Sequence, residues 1–231
     1  MDLQRDGLVR SVAGRGTFPA SLLREADACG FRIDFHQLPL NLLNPTKDYN
    51  AELLKQCKDT DTPLIVEDAL AGGLLTDRHV NQPAEPYLFE LEAREKPHMA
   101  SLHSWANRRV GKAKSSWPRF QKDVMGVLDN IALKHRVSVG TVALRWTLQL
   151  DSVTSALVGW EMYRTDIFDY AKALREVFEL ELDEQDMERL WEATGCEKPN
   201  LETPGFDFEN LDGLEEDDNG LFLPSNGKLW I

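Results

Sequence analysis

The chain has 231 residues, 42% of them hydrophobic and 28% charged, a balance that suits one sizeable globular core. Its 26 Lys and Arg against 39 Asp and Glu leave a net charge of −13, which argues against general binding to nucleic acid or to anionic membranes. No apolar run approaches the roughly 20 residues of a transmembrane helix, and Met1-Asp-Leu-Gln-Arg-Asp-Gly7 reads as neither a signal nor a transit peptide. The three cysteines, Cys29, Cys57 and Cys196, are scattered and odd in number. They suggest free thiols in a reducing compartment, cytoplasm or an organellar stroma or matrix, and not a secreted disulfide framework.

In chain order, Leu8 to Val12 is a strand candidate closed by the turn Gly14-Arg-Gly16. A helix follows with Pro19 in its first turn, Leu22, Leu23, Ala26 and Cys29 on one face, and Gly30 at its end. Ile33 to Leu38 is a second strand, stopped by Pro39. Tyr49 to Lys58 is a second helix with Leu53, Leu54 and Cys57 inward. Leu64 to Val66 is a third strand, running into Glu67, Asp68 and the turn Gly72-Gly73. Strand, helix, strand, helix, strand predicts a parallel α/β sheet with covering helices. Ligands of such sheets bind at the carboxyl ends of the strands. Glu67 and Asp68 are therefore the carboxylates to watch, although successive strand residues face opposite ways and do not form a dyad.

Residues 77 to 119 read as a long irregular connection carrying a local basic island: Arg94, Lys96, Arg108, Arg109, Lys112, Lys114 and Arg119. Such a loop is either a clamp for phosphate or an acidic partner, or a solvated surface. From Phe120 the helical period is strong, with Val124, Val127, Leu128, Ile131 and Ala132 in one stripe. Ser138 caps a helix through Val142, Ala143, Trp146 and Leu150. Val153 to Val158 is a fourth strand, ending before Gly159, and Thr165 to Val177 a further helix. Asp183 caps the last helix, with Met187, Leu190 and Trp191 inward and Gly195 at its end. Residues 197–231 shift in composition toward Pro, Gly, Asn and acid, and read as an acidic tail or a docking arm using Phe222 and Trp230.

Several chemistries lack their motifs. There is no phosphate loop, no complete dinucleotide glycine fingerprint and no Gly-x-Ser-x-Gly elbow. His98 and His103 do not form a His-Glu-x-x-His frame, and no Cys-x-x-Cys pair exists, so no metal site is indicated. His36 and His135 read as hydrogen-bonded structural histidines. Residue chemistry alone thus gives a parallel α/β domain of residues 1–196, a possible site at its strand mouths, and no reaction.

Ala71-Gly-Gly-Leu-Leu-Thr-Asp-Arg78, Pro86, Trp117-Pro-Arg-Phe-Gln121, Leu128 to Trp146, Val153 to Gly159 and Phe178 to Asp183 together resemble the aldo-keto reductase superfamily. The spacing most resembles its sugar- and aldehyde-oxidising branch. The resemblance implies a (β/α)₈ barrel that binds NADP(H) at its C-terminal mouth and works through an Asp-Tyr-Lys-His set on its first four strands. This chain resembles strands five to eight only, which implies a partial, half TIM-type barrel of four parallel strands with covering helices, and no catalytic residue in this chain. By the same resemblance, cofactor contacts fall at Gln37, Gly72, Gly73, Leu74, Gly159 and Arg164. Other positions depart from it. Arg15-Gly16 stands where Ser-Asn is usual, Glu67 where an aromatic ring stacks on the nicotinamide, and Glu161 near a usual phosphate-binding arginine. The expectation is a non-catalytic interaction or structural protein without a cofactor, its open sheet edges covered by a protein partner or a second copy. The alternative is a fragment or subunit of an NADP-dependent oxidoreductase whose catalytic residues lie outside this chain.

Overall fold

The computed structural model describes residues 2–16, 25–26, 28–31, 33–45, 48–87, 91, 93, 95–110, 116–151, 153–159, 174–196, 214–216 and 222–224. Two compact units divide the chain, Met1–Pro199 and Asn200–Ile231. In the first, a short helix α1 (Asp2–Arg5) leads to strand β1 (Ala13–Arg15), strand β2 (Phe35–Pro39), helix α2 (Asp48–Asp59) and strand β3 (Leu64–Glu67). Helix α3 (Lys96–Val110), helix α4 (Trp117–Phe120), helix α5 (Gly126–His135), helix α6 (Val139–Leu148), strand β4 (Val153–Ala156) and helix α7 (Glu184–Thr194) complete it. In the second unit, strands β5 (Leu214–Glu216) and β6 (Phe222–Pro224) pair antiparallel. The remainder of the expected C-terminal arm lies outside the described residues.

β1 to β4 form one sheet in sequential order, all parallel. Sequential parallel strands joined through covering helices are the arrangement of part of a TIM-type barrel. The helical layer and the sheet face that meets it supply the core. Leu38, Leu64, Val66, Leu53, Cys57, Leu128, Ile131, Val142 and Trp146 are all fully buried. Each buried Leu or Val contributes about 1.5–3 kcal/mol relative to exposure.

Local chemistry sets the element ends. Ser138 Oγ accepts from the Thr141 amide at 3.0 Å, and Asp183 Oδ1 from the Asp186 amide at 2.8 Å, the two expected caps. Gly195 closes α7 in the left-handed region. Asp61 and Arg136 take the same left-handed position after α2 and α5. There the Thr62 amide returns to the Cys57 carbonyl at 2.8 Å and the Val137 amide to the Ala132 carbonyl at 3.0 Å.

Several expectations need correction. The first strand lies at Ala13–Arg15, after the expected Leu8 to Val12. The Leu8 and Val9 amides donate to the Leu3 carbonyl at 2.9 and 3.1 Å, so this backbone closes α1 and cannot join the sheet. The second strand begins at Phe35 and keeps Pro39 as its last residue. Residues 77–119 are not one irregular loop. They contain the 15-residue α3, because Met99, Leu102, Trp105 and Ala106 form a buried stripe at helical spacing. In the last helix Leu190 and Trp191 are buried, while Met187 is only half-buried. The expected helix around Pro19 and most of the Thr165 to Val177 helix lie outside the described residues.

Candidate functional site

The carboxyl ends of β1, β2 and β3 bring three side chains together. Register sets Arg15 beside Gln37, and Glu67 beside Pro39. Glu67 Oε2 accepts from Gln37 Nε2 at 2.7 Å and from Arg15 Nη2 at 2.9 Å. Glu67 is 20% exposed and Arg15 72%. The pair is therefore semi-exposed on the arginine side, where such contacts are worth about 0.2–1 kcal/mol. Its chemical effect is larger than its energetic one. One carboxylate oxygen takes one of the two N–H donors of the Gln37 amide and one guanidinium donor of Arg15.

Asp68 follows β3 and leaves the extended conformation. Its backbone is left-handed at φ 59°, unusual for a residue with a side chain. Asn41 steadies that conformation by donating through Nδ2 to the Asp68 carbonyl at 3.1 Å, while Asn41 Oδ1 accepts from the Leu43 amide at 3.0 Å. Asp68 Oδ1 lies 3.8 Å from Nε2 of His98, on α3. Burial pushes the His98 pKa below its ordinary value, with the Asp68 charge pulling it the other way.

The turn after β3 is packed from within. Gly72 and Gly73, at φ 65° and 115°, occupy conformations that side chains resist. Both glycines and Leu74 are buried. Thr76 donates its hydroxyl to the Gly73 carbonyl at 2.7 Å. A Cβ at Gly73 would sit 3.5 Å from Glu95 Oε1. Glu95, 1% exposed, also takes His79 Nε2 at 3.0 Å and Arg78 Nη1 at 3.1 Å. Trp117 meets the His79 ring edge-on at 5.9 Å and donates to the Gln82 carbonyl at 2.8 Å. Gln121 Nε2 closes the knot on the His79 carbonyl at 2.8 Å.

Of the six expected cofactor contacts, Gln37 lies in the strand-end cluster, and Gly72, Gly73 and Leu74 form the buried turn. Gly159 is exposed, three residues beyond β4. Arg164 and the divergent Glu161 lie outside the described residues. His36 is structural as expected, Nε2 donating to the Gly16 carbonyl at 2.8 Å. His135 pairs with Asp186 at 2.7 Å. Sequence reasoning missed the Asp68–His98 approach and the buried Glu95, whose partners are 30 and about 16 residues away along the chain. It did single out Arg15 and Glu67, but as separate losses. The signal that joins them is parity, since Arg15, Gln37 and Glu67 all alternate with buried residues of their strands and so fall on the less buried sheet face. Among the described residues no group of three or more His, Cys, Asp or Glu could hold a metal ion.

The strand-end residues do not fit a nicotinamide. A carboxylate offers no stacking surface where the resemblance places a ring. One of the two Gln37 amide N–H groups already donates to Glu67.

A family model described as "Aldo/keto reductase family" matches residues 1–194. Among solved structures, the chain is similar to the glycerol dehydrogenase of Gluconobacter oxydans, with 19% identity, a TM-score of 0.61, 89% of this chain covered and 55% of that one. It is similar to a thermostable aldo-keto reductase solved with the inhibitor epalrestat, at 18% identity, TM-score 0.50, 83% of this chain and 51% of that one. It is also similar to an aldo/keto reductase of Brucella melitensis, at 16% identity, TM-score 0.50, and the same two coverages of 83% and 51%. The chain thus spans about half the length of these solved relatives. No curated protein matches it.

Proposed function

The chain belongs to the aldo/keto reductase family, and from that premise we propose that it is a non-catalytic member acting as a structural or interaction subunit of an assembly. The observation that supports this reading best is the Arg15–Gln37–Glu67 cluster. It replaces a cofactor seat with an internally satisfied ion pair. A phosphate-bearing dinucleotide would also meet a chain of net charge −13, which opposes its approach. The family tyrosine and its supporting residues have no matching context in this sequence. The chain's own residues therefore hold structure at the strand mouths and move no proton to a substrate.

A second reading is favoured by one observation. The Gly72-Gly73-Leu74 turn keeps the conformation that only glycines allow cheaply, as a site still under use would. In that reading the chain is part of an NADP-dependent oxidoreductase that takes its acid–base residues from elsewhere.

Titrating NADPH into the protein while following tryptophan quenching and NADPH emission separates the two. The non-catalytic reading expects no saturable change for the native chain. It also expects Glu67→Tyr, which removes the carboxylate and restores a ring, to bind at least tenfold better than the parent. Stoichiometric, saturable binding by the native chain sinks the first reading and supports the second.

A further inference from the structure

The turn after β3 passes through four left-handed residues. Asp68 at φ 59° and Ala71 at φ 48° carry side chains, and Gly72 and Gly73 continue the run. Such conformations persist only where the surroundings hold them, and they gather at sites that bind or switch. Asn41 holds the Asp68 carbonyl at 3.1 Å. The group facing the Asp68 carboxylate is His98, in the first turn of α3, with Nε2 3.8 Å from Oδ1. That separation is too long for a hydrogen bond, yet short enough for strong attraction once the ring is charged. His98 itself is fixed in place. Its amide donates to the Glu95 carbonyl at 3.0 Å, Glu95 is held by His79 and Arg78, and Met99 beside it is buried. Among the described residues neither ring nitrogen of His98 makes a hydrogen bond. The ring is 15% exposed and the Asp68 side chain 43%, so the pair lies at the border of solvent, where a proton can come and go.

We propose that Asp68 and His98 form a proton-operated catch that holds the turn of residues 68–73 in its left-handed form. With His98 neutral, Asn41 holds Asp68 by its carbonyl, and the carboxylate is able to leave the ring. With His98 protonated, the imidazolium draws the carboxylate in, and Asp68 is held from both sides. The neighbouring charges leave the pair this task. Asp68 is the charge that acts on His98. Glu67, before Asp68, is engaged by Arg15 and Gln37, and Glu95 by Arg78 and His79. On α3 itself, Lys96 is exposed and His103 faces Glu85. Burial lowers His98 below 6.5 and the Asp68 charge raises it, so the catch engages below that pH. Its sign is opposite to that of global stability. The unfolded imidazole takes its proton more readily than the buried one, so acid weakens the fold as a whole. Within the fold, the engaged turn takes the proton more readily than the released one, so acid tightens the turn. The catch works with or without a cofactor and stands apart from both readings of function.

Amide hydrogen exchange of the full chain, with a titration of the His98 ring by nuclear magnetic resonance, tests the catch. The Ala71, Gly73, Leu74 and Leu75 amides close the turn on carbonyls of Asp68, Leu70 and Ala71 at 2.8 to 3.2 Å. A charge at the Asp68 distance, close to solvent, moves an imidazole by about half a unit, and reciprocity makes that about threefold in the opening of the turn. After correction for intrinsic rates, protection of these amides relative to Ile65 and Val66 should therefore rise about threefold from about pH 7.5 to about pH 5.5. Asp68→Asn removes the charge and keeps a residue that tolerates the left-handed region. It should lower the His98 pKa by about half a unit and abolish the rise. His98→Gln should abolish the rise as well, and it decides the matter if Asp68→Asn unfolds. A native chain whose turn protection stays level or falls overturns the catch, as does a rise that survives in either folded variant.

Discussion

Asp183 does two jobs at one position. It caps α7 through the Asp186 amide and takes Lys134 Nζ at 2.7 Å. The Lys134 hydrogen bond, then that amide, hold its carboxyl below the ordinary 3.8. A depressed carboxyl contributes stability that is present above the unfolded value and lost as pH falls through the lower folded one. Asn caps a helix about as well as Asp, so Asp183→Asn removes the titration and keeps the cap. In acid unfolding followed by circular dichroism, the variant's stability should fall less steeply than the parent's below about pH 4. Equal slopes would assign the acid sensitivity elsewhere. His36 and His98 act in a separate window. Burial lowers both below 6.5, so the unfolded imidazoles take protons first and stability declines from about there downward. Both caps and the structural roles of His36 and His135 were legible in the sequence, because they need only local spacing or a side chain's usual habit. The grip of Arg15 and Gln37 on Glu67 was not, because it depends on the register of strands that set residues 52 and 30 positions apart in sequence side by side.

α3 shows why an element can be hidden by its composition. The basic residues around it read as a loop, and Pro97 and His98 at its start weaken the helical signal. Its apolar stripe is sparse but deeply buried. Trp105 is fully buried and donates Nε1 to the Ala193 carbonyl at 2.9 Å, tying α3 to the end of α7. Trp105 also meets Phe120 edge-on at 6.4 Å, and Phe120 meets Trp117 at 5.2 Å. Truncating a buried aromatic of this size typically costs about 3–5 kcal/mol. Trp105→Ala should therefore lower the unfolding free energy obtained from urea denaturation by that order, since it removes the ring and its hydrogen bond to the Ala193 carbonyl together. Trp105→Phe keeps most of the packing and loses the hydrogen bond, so its cost should be nearer about 1 kcal/mol plus the lost volume. A loop reading of residues 77–119 predicts almost no effect from either change. Chemical denaturation of the two variants distinguishes the cases. The strands tell the complementary story. β3 begins where its apolar run Leu64-Ile-Val66 put it, because a buried parallel strand announces itself as a continuous run, whereas β2, Phe-His-Gln-Leu-Pro, starts two residues after the expected Ile33. β1 was misplaced by a few residues, because its run was taken up by the end of α1 before the sheet began.

For the whole molecule, charge decides a question that pairwise contacts leave balanced. Lys58–Asp151 at 3.0 Å and Arg175–Glu179 at 2.8 Å are exposed ion pairs, and Lys55–Asp59 at 2.7 Å is exposed on its Asp59 side. Each is worth about 0.2–1 kcal/mol at most, and each weakens as salt is added. Against them stands the self-repulsion of a net charge of −13, which favours expansion and also weakens with salt. The two effects have opposite signs, so the direction of salt dependence reports which is larger. An excess of 39 acidic over 26 basic residues leaves acids that no pair can neutralise. Repulsion among them reaches across the molecule at low ionic strength, where the screening length is about 30 Å, and collapses when it falls to about 8 Å. The thermal midpoint should accordingly rise as sodium chloride goes from about 0.01 M to about 0.15 M. Sodium chloride is the right salt, since sulfate would strengthen apolar burial by itself and blur the result. A midpoint that falls over that interval would mean that the paired charges, including the Lys134–Asp183–Asp186 group, outweigh the net charge. Holding protein concentration fixed across the series keeps any change in association from entering the comparison.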